Sequence, residues 1–227
     1  MKINHILTLQ RLLLILLLLI PAPLFSNGAA EQQSSGSASE SGYTPPPHDD
    51  RYERATLAGG CFWCMEPPYD KTDGVISTIS GFSGGEAVDP SYDQVASGNT
   101  NHIETVQITY DPEIISYQEI LDIFWVNIDP LDGGGQFCDR GPHYRSAIFY
   151  HSYQQEEIAR RSRRELAESG IISGEIVTEL IEFEAFYPAE EYHQNYYRKN
   201  PIRYTFYRSR CGRDDRLQEL WGDRTSL

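Results

Sequence analysis

Cys61 and Cys64 lie three residues apart in the run Gly59-Gly60-Cys61-Phe62-Trp63-Cys64. Paired glycines let a chain turn sharply and let backbone approach a bound molecule. A cysteine opening the helix after such a turn has its thiolate favoured by free N–H groups and by the helix dipole. Phe62 and Trp63 would flank that thiolate with an aromatic wall. The chemistry this implies is a nucleophilic or redox cysteine in an apolar cup, and the plainer alternative is a structural disulfide. Cys138 and Cys211 form no second close pair, which argues against a four-thiolate zinc site. Other polar residues give weaker signals. Glu104 sits on an alternating apolar strand, where spacing alone points it to solvent. Asp139 reads as a loop cap, and Tyr92 and Tyr144 are two of fifteen tyrosines. His193, among aromatic neighbours, reads as packing or surface hydrogen bonding.

Elements must hold these residues. Arg54–Leu57 reads as a short strand entering the glycine turn, with a helical turn from Cys61 constrained by Pro67-Pro68. The alternating stretches Val75–Phe82 and His102–Tyr110 read as strands. Arg145–Tyr150 and Glu175–Phe183 also read as strands. Tyr92–Ala96 fits a short helix ending at Gly98. Ser116 caps a helix carrying Ile120, Leu121, Phe124 and Trp125 on one face. Asp129–Gly141 reads as a long glycine-rich loop, Gln154–Ser169 as a charged surface helix and Ala189–Lys199 as a helix stopping before Pro201. Strands alternating with helices predict an α/β fold, a mixed central sheet flanked by helices.

The chain has 227 residues, 33 acidic against 19 basic, for a formal charge of −14. That balance excludes a phosphate-neutralising nucleic-acid binder and disfavours anionic membranes. The length suffices for a real core, so four cysteines are not needed to hold the fold and are free for chemistry. Residues 1–30 read as a secretory signal peptide: Lys2 and Arg11, then the apolar Leu12–Ile20, then a small-residue exit. The apolar run is short for a membrane span, and an uncleaved anchor is the lesser alternative. Residues 31–52 are Ser-, Gly- and Pro-rich and read as a flexible tether. A domain over 53–227 follows. Export implies a periplasmic or extracytoplasmic, oxidising compartment, with no membrane contact required beyond it.

The ordered stretches GGCFWCMEPPYD, GFSGGEAVDPSYDQVASGNTNHIETVQITYDP, DRGPHYRSAIFY and FYPAEEYHQNYYRKNP resemble the peptide methionine sulfoxide reductase A family from about residue 55 to 201. The resemblance implies a two-layer α+β sandwich with a ferredoxin-like core and an irregular C-terminal tail from about residue 202. It implies thiol-dependent reduction of methionine (S)-S-oxide, free or in proteins, without cofactor or metal. Cys61 matches the nucleophile, and Phe62 and Trp63 match the pocket for the S-methyl group. Tyr92 and Tyr144 match hydroxyl donors to the sulfoxide oxygen, Glu104 matches the acid, and Asp139 matches an acidic neighbour. The resemblance reverses the solvent-facing reading of Glu104, because a carboxyl held neutral by burial can give a proton to that oxygen. A Cys61 sulfenic acid then condenses with a second thiol, and a thioredoxin-type dithiol restores the enzyme.

The resolving cysteine is Cys211, in a glycine-containing tail, or Cys64, which stands where many members have glycine. Cys138 replaces a common asparagine and has no assigned role. Pro142 and His143 stand where Thr and Gln are common. Two alternatives stay open, a thioredoxin-like C-x-x-C oxidoreductase and a non-enzymatic binder of oxidised peptides. Nothing in the sequence points beyond a monomer.

Overall fold

The computed structural model describes residues 49–226. The signal-peptide reading and most of the tether reading fall outside them. Strand β1 (Glu53–Gly59) runs into α1 (Phe62–Asp70), β2 (Val75–Ser83), α2 (Tyr92–Ala96), β3 (Ile103–Tyr110) and α3 (Tyr117–Trp125). A two-residue hairpin follows, β4 (Gly135–Gln136) with β5 (Asp139–Arg140), then β6 (Ser146–Tyr150) and α4 (Tyr153–Glu168). Strands β7 (Glu179–Glu182) and β8 (Phe186–Pro188) precede helices α5 (Tyr196–Lys199), α6 (Pro201–Arg210) and α7 (Arg213–Trp221).

Six strands form one sheet in the order β7-β6-β1-β3-β2-β8. Only β6 and β7 pair in parallel, so the sheet is mixed. The inner order β6-β1-β3-β2 is that of two interleaved β-α-β units, the ferredoxin-like core that the family resemblance implies. One core cluster joins Leu57 of β1, Met65 and Tyr69 of α1, Ile108 of β3, Phe124 of α3, Ile148 of β6, Ala159 of α4 and Leu217 of α7. Truncating a buried aliphatic residue there costs about 2–5 kcal/mol. Helices α2 and α3 start at Ser91 and Ser116, each with a complete capping box that satisfies otherwise free N–H groups.

Several expectations need correction. The tail from 202 is not irregular: α6 and α7 are regular helices, and α7 buries Leu217 and Trp221 in the core. Its hydrophobic pattern is thin because Arg213 fills a core position. Ala189–Lys199 is helical only from Tyr196. Ala189 N–H instead extends the β2 pairing by donating to Ser80 O, and the Gln194 amide bonds both Ser80 N and Ser80 O. Asn195, at φ +52°, then turns the chain. The glycine-rich loop over 129–141 contains the β4–β5 hairpin. The strand expected over 175–183 is confined to Glu179–Glu182.

Candidate active site

Strand β1 delivers the chain to Gly59 and Gly60, which turn it into α1. Gly60 has φ +81°, and a Cβ there would lie 2.6 Å from Gln136 Cβ, so only glycine fits. Cys61 is the residue that opens α1, and its carbonyl accepts from Cys64 N–H at 3.0 Å. Both thiols are free and buried, and their side chains hydrogen-bond one another. Burial pushes the Cys61 thiol up, and the hydrogen bond to Cys64 and the charge of Glu104 add to that rise. Cys64 is drawn the other way, chiefly by the hydrogen bond from Cys61 and further by Arg213 and Arg208.

Glu104 lies inside the fold, 1% exposed, on β3 beside β2. Its Oε2 accepts from Phe62 N–H at 3.2 Å, so the carboxyl reaches the first turn of α1, next to Cys61. Burial raises it well above the usual carboxylate range, which favours its neutral acid form. Tyr92 and Tyr144 are half-buried, and the Tyr144 hydroxyl donates to that of Tyr92. Burial, with the Glu104 charge second, raises both phenols, Tyr92 to about 12, so both remain donors. Cys61, Glu104, Tyr92 and Tyr144 are therefore brought to one place, although they come from four separate stretches of chain.

The aromatic wall is more extensive than Phe62 and Trp63. Phe62 is fully buried and packs on Phe82, Tyr92 and His193, so it backs the cup. Trp63 is partly exposed, stacks on Tyr196 at 3.7 Å and meets the edge of Tyr207. Trp63 Nε1–H donates to His193 Nδ1 at 3.1 Å. Burial lowers His193 to about 4, so it is a neutral acceptor there. Its packing role matches the reading from sequence. Tyr196, Tyr207 and Arg213 gave no signal, since each stands among charged and polar neighbours that read as exposed.

Asp139 stands at the rim, where its carboxylate accepts from the Tyr207 hydroxyl at 2.5 Å. Burial raises its carboxyl. Cys138 and Cys211 form a disulfide across 73 residues, and Cys138 N–H donates to Cys211 Sγ at 3.2 Å. Cys138 thus has a role that the sequence left unassigned, and Cys211 is not a free thiol beside Cys61. Glu66, also buried, is raised to about 7 by burial and accepts from the Ser80 hydroxyl and Asn195 N–H, which ties α1 to β2 and the segment before α5.

A buried neutral acid, two phenol donors and a thiol pair can together polarise and reduce an oxidised sulfur. A family model described as peptide methionine sulfoxide reductase matches residues 53–225. A peptide methionine sulfoxide reductase MsrA of Bacillus licheniformis is 50% identical over 173 residues, covering 76% of this chain and 96% of that protein. An MsrA/MsrB protein of Vibrio cholerae is 52% identical over 171 residues, covering 75% of this chain, and the match spans only 45% of that longer relative. Among solved structures, reduced Mxr1 from Saccharomyces cerevisiae aligns with a TM-score of 0.63 at 34% identity, over 68% of this chain and 89% of its own. Methionine sulfoxide reductase A of Corynebacterium diphtheriae aligns with a TM-score of 0.60 at 34% identity, over 68% and 77%.

Proposed function

The chain belongs to the peptide methionine sulfoxide reductase A family, and from that premise we propose how its residues divide the work. It is an enzyme, a thiol-dependent reductase that returns methionine sulfoxide to methionine. Cys61 attacks the sulfoxide sulfur. That sulfur is a poor electrophile until its oxygen is protonated, and Glu104, held neutral by burial, supplies the proton. Tyr92 and Tyr144 hydrogen-bond the same oxygen, and Trp63 lines the apolar side where the S-methyl group sits, with Phe62 behind it. Methionine leaves, Cys61 is a sulfenic acid, and a second thiol condenses with it to a disulfide and water.

The observation that carries this division is the placement of the Glu104 carboxyl, wholly buried and bonded to the N–H of the residue after Cys61. The substrate is the S epimer, and the electrons come from a thioredoxin-type dithiol, since each turnover needs two and the mechanism uses only thiols. Dithiothreitol-driven reduction of separated S and R methionine sulfoxide is the test. S alone is expected to turn over, and Cys61→Ser to abolish it. Turnover of R alone, or substantial activity in C61S, would overturn the assignment.

The enzyme works outside the cytoplasm, as a monomer, on oxidised exported proteins. The apolar run Leu12–Ile20 behind Lys2 and Arg11 supports export. So does the Cys138–Cys211 disulfide, a bond that persists in oxidising compartments.

A further inference from the structure

Arg213 heads the large side chains that the fold buries completely. Its Nη2 donates to Asn127 O at 2.7 Å and Gly59 O at 3.0 Å and meets Met65 Sδ at 3.1 Å. The guanidinium lies over the Phe137 ring at 4.5 Å. Its Nε and Nη1 are buried without any hydrogen-bond partner among the described residues. A buried cation that lacks an anion costs several kcal/mol, so its surroundings indicate what it serves. Gly59 precedes the turn into Cys61 and Met65 follows Cys64, so Arg213 grips this segment on both sides of the thiol pair. A side-chain carbon placed at Gly60 would lie 3.7 Å from Nη1. The groups near this grip able to carry negative charge are the two hydrogen-bonded sulfurs, with Cys64 favoured as thiolate by the Arg213 charge, and the Asp139 carboxyl, whose charged form Arg213 also favours. The other resolving candidate, Cys211, is already bonded to Cys138.

We propose that Arg213 is a positioning residue that holds one negative charge on the Cys61–Cys64 pair, and that Cys64, not Cys211, resolves the Cys61 sulfenic acid. This rests on the reductase reading above. Glu104, Asp139, Tyr92, Tyr144, Tyr204 and Tyr207 also face the pair, and a negative charge on any of them opposes a thiolate. Arg213 and Arg208 are the cations that favour one.

The chemistry balances from this starting state of Cys61 thiol, Cys64 thiolate and Glu104 acid. The Cys61 proton passes to Cys64 as the Cys61 sulfur attacks, and the Glu104 proton goes to the sulfoxide oxygen. The substrate sulfur–oxygen bond breaks while one forms to Cys61, which releases methionine and leaves the sulfenic acid. Cys64 sulfur then attacks Cys61 sulfur, and hydroxide departs with the Cys64 proton as water. Two thiol sulfurs are oxidised to a disulfide, the sulfoxide is reduced by two electrons, and the negative charge ends on Glu104, where Phe62 N–H receives it.

The test is a single turnover of fully reduced protein with one equivalent of S-sulfoxide peptide and no external thiol, at pH from about 6 to 10, a range spanning ordinary thiol ionisation. Wild-type protein is expected to yield one methionine and a Cys61–Cys64 disulfide by peptide mapping, and so is C211S. C64S is expected to accumulate a sulfenic acid trapped by a diketone probe. Arg213→Met should release methionine about ten-fold more slowly at neutral pH, the loss of thiolate expected when a favourable charge is removed. Its deficit should close as pH rises, and Arg213→Lys should recover most of the rate. A Cys61–Cys211 disulfide in wild-type protein would overturn the proposal. So would an Arg213→Met deficit that is constant with pH, or an Arg213→Lys as slow as Arg213→Met. Should Arg213→Met fail to fold, the mapping and the pH profile of Arg213→Lys, expected close to wild type, still decide. Failure of wild-type protein to form methionine at all would instead remove the reductase reading.

Discussion

At the scale of the residue, the decisive feature is a carboxyl whose protonated form folding favours. Glu104 is raised above the ordinary carboxylate range chiefly by burial, against the lowering effect of the Phe62 N–H bond. Glu104→Gln keeps the shape and removes the proton, so kcat is expected to fall by about 10²–10⁴-fold, the usual contribution of a general acid, with a smaller change in KM. Steady-state kinetics on the S epimer check this. The wild-type rate should fall as pH rises through the folded-state value for Glu104, because the acid form is the active one. The sign for stability follows from the same shift. Between its unfolded and folded values the native chain keeps a proton that the unfolded chain has released. The stabilisation is complete below the unfolded value, about 4.3, and is lost as pH rises through the folded one. Thermal melts should therefore show wild-type stability declining towards alkaline pH more steeply than that of E104Q.

At the scale of the element, the start of α1 carries the free thiols of Cys61 and Cys64, but α6 and α7 complete the candidate site. Tyr207 of α6 bonds Asp139 and edges Trp63, while Arg213 opens α7 under the glycine turn. The Cys138–Cys211 disulfide fastens the junction of these two helices to the β4–β5 hairpin. It closes a long loop, with a sequence separation of 73, and in the chain-entropy account a loop of that length contributes about 4.5 kcal/mol before any native-state strain. The double variant Cys138→Ser, Cys211→Ser is expected to melt at lower temperature and to be cleaved first within α6 under limited proteolysis. Dithiothreitol should lower the melting temperature of the wild type and leave the double variant unchanged. Equal proteolytic resistance in both would mean that the helices are held by packing of Leu217 and Trp221 alone.

At the scale of the whole molecule, the acidic balance of −14 argued against a nucleic-acid partner without locating the site, which gathers phenols, two thiols and a buried carboxyl. Export belongs to this scale. The protein recovered from the extracytoplasmic fraction should lack about the first 26–30 residues, where the apolar run gives way to small residues, and its intact mass checks this. Among the described residues no helix is long and apolar enough to cross a membrane. Much was legible in the chain alone, because local physics suffices for it. The glycine turn, the helix-opening cysteine, the capping serines and the alternating strands each express a preference of a few neighbouring residues. Spacing could not decide which way Glu104 faces, since both faces of β3 are covered and the strand is buried throughout. Nor could it reveal Arg213 or Tyr207, whose neighbours on α6 and α7 are polar and whose partners lie far away in the chain. The sequence by itself singled out Cys61 as the proposed nucleophile and marked the strand, glycine turn and helix that carry it. Tertiary structure decided the burial of the Glu104 carboxyl, the pairing of Cys138 with Cys211 and the burial of a guanidinium against the thiol turn. All three depend on desolvation and on contacts between segments that only folding brings together.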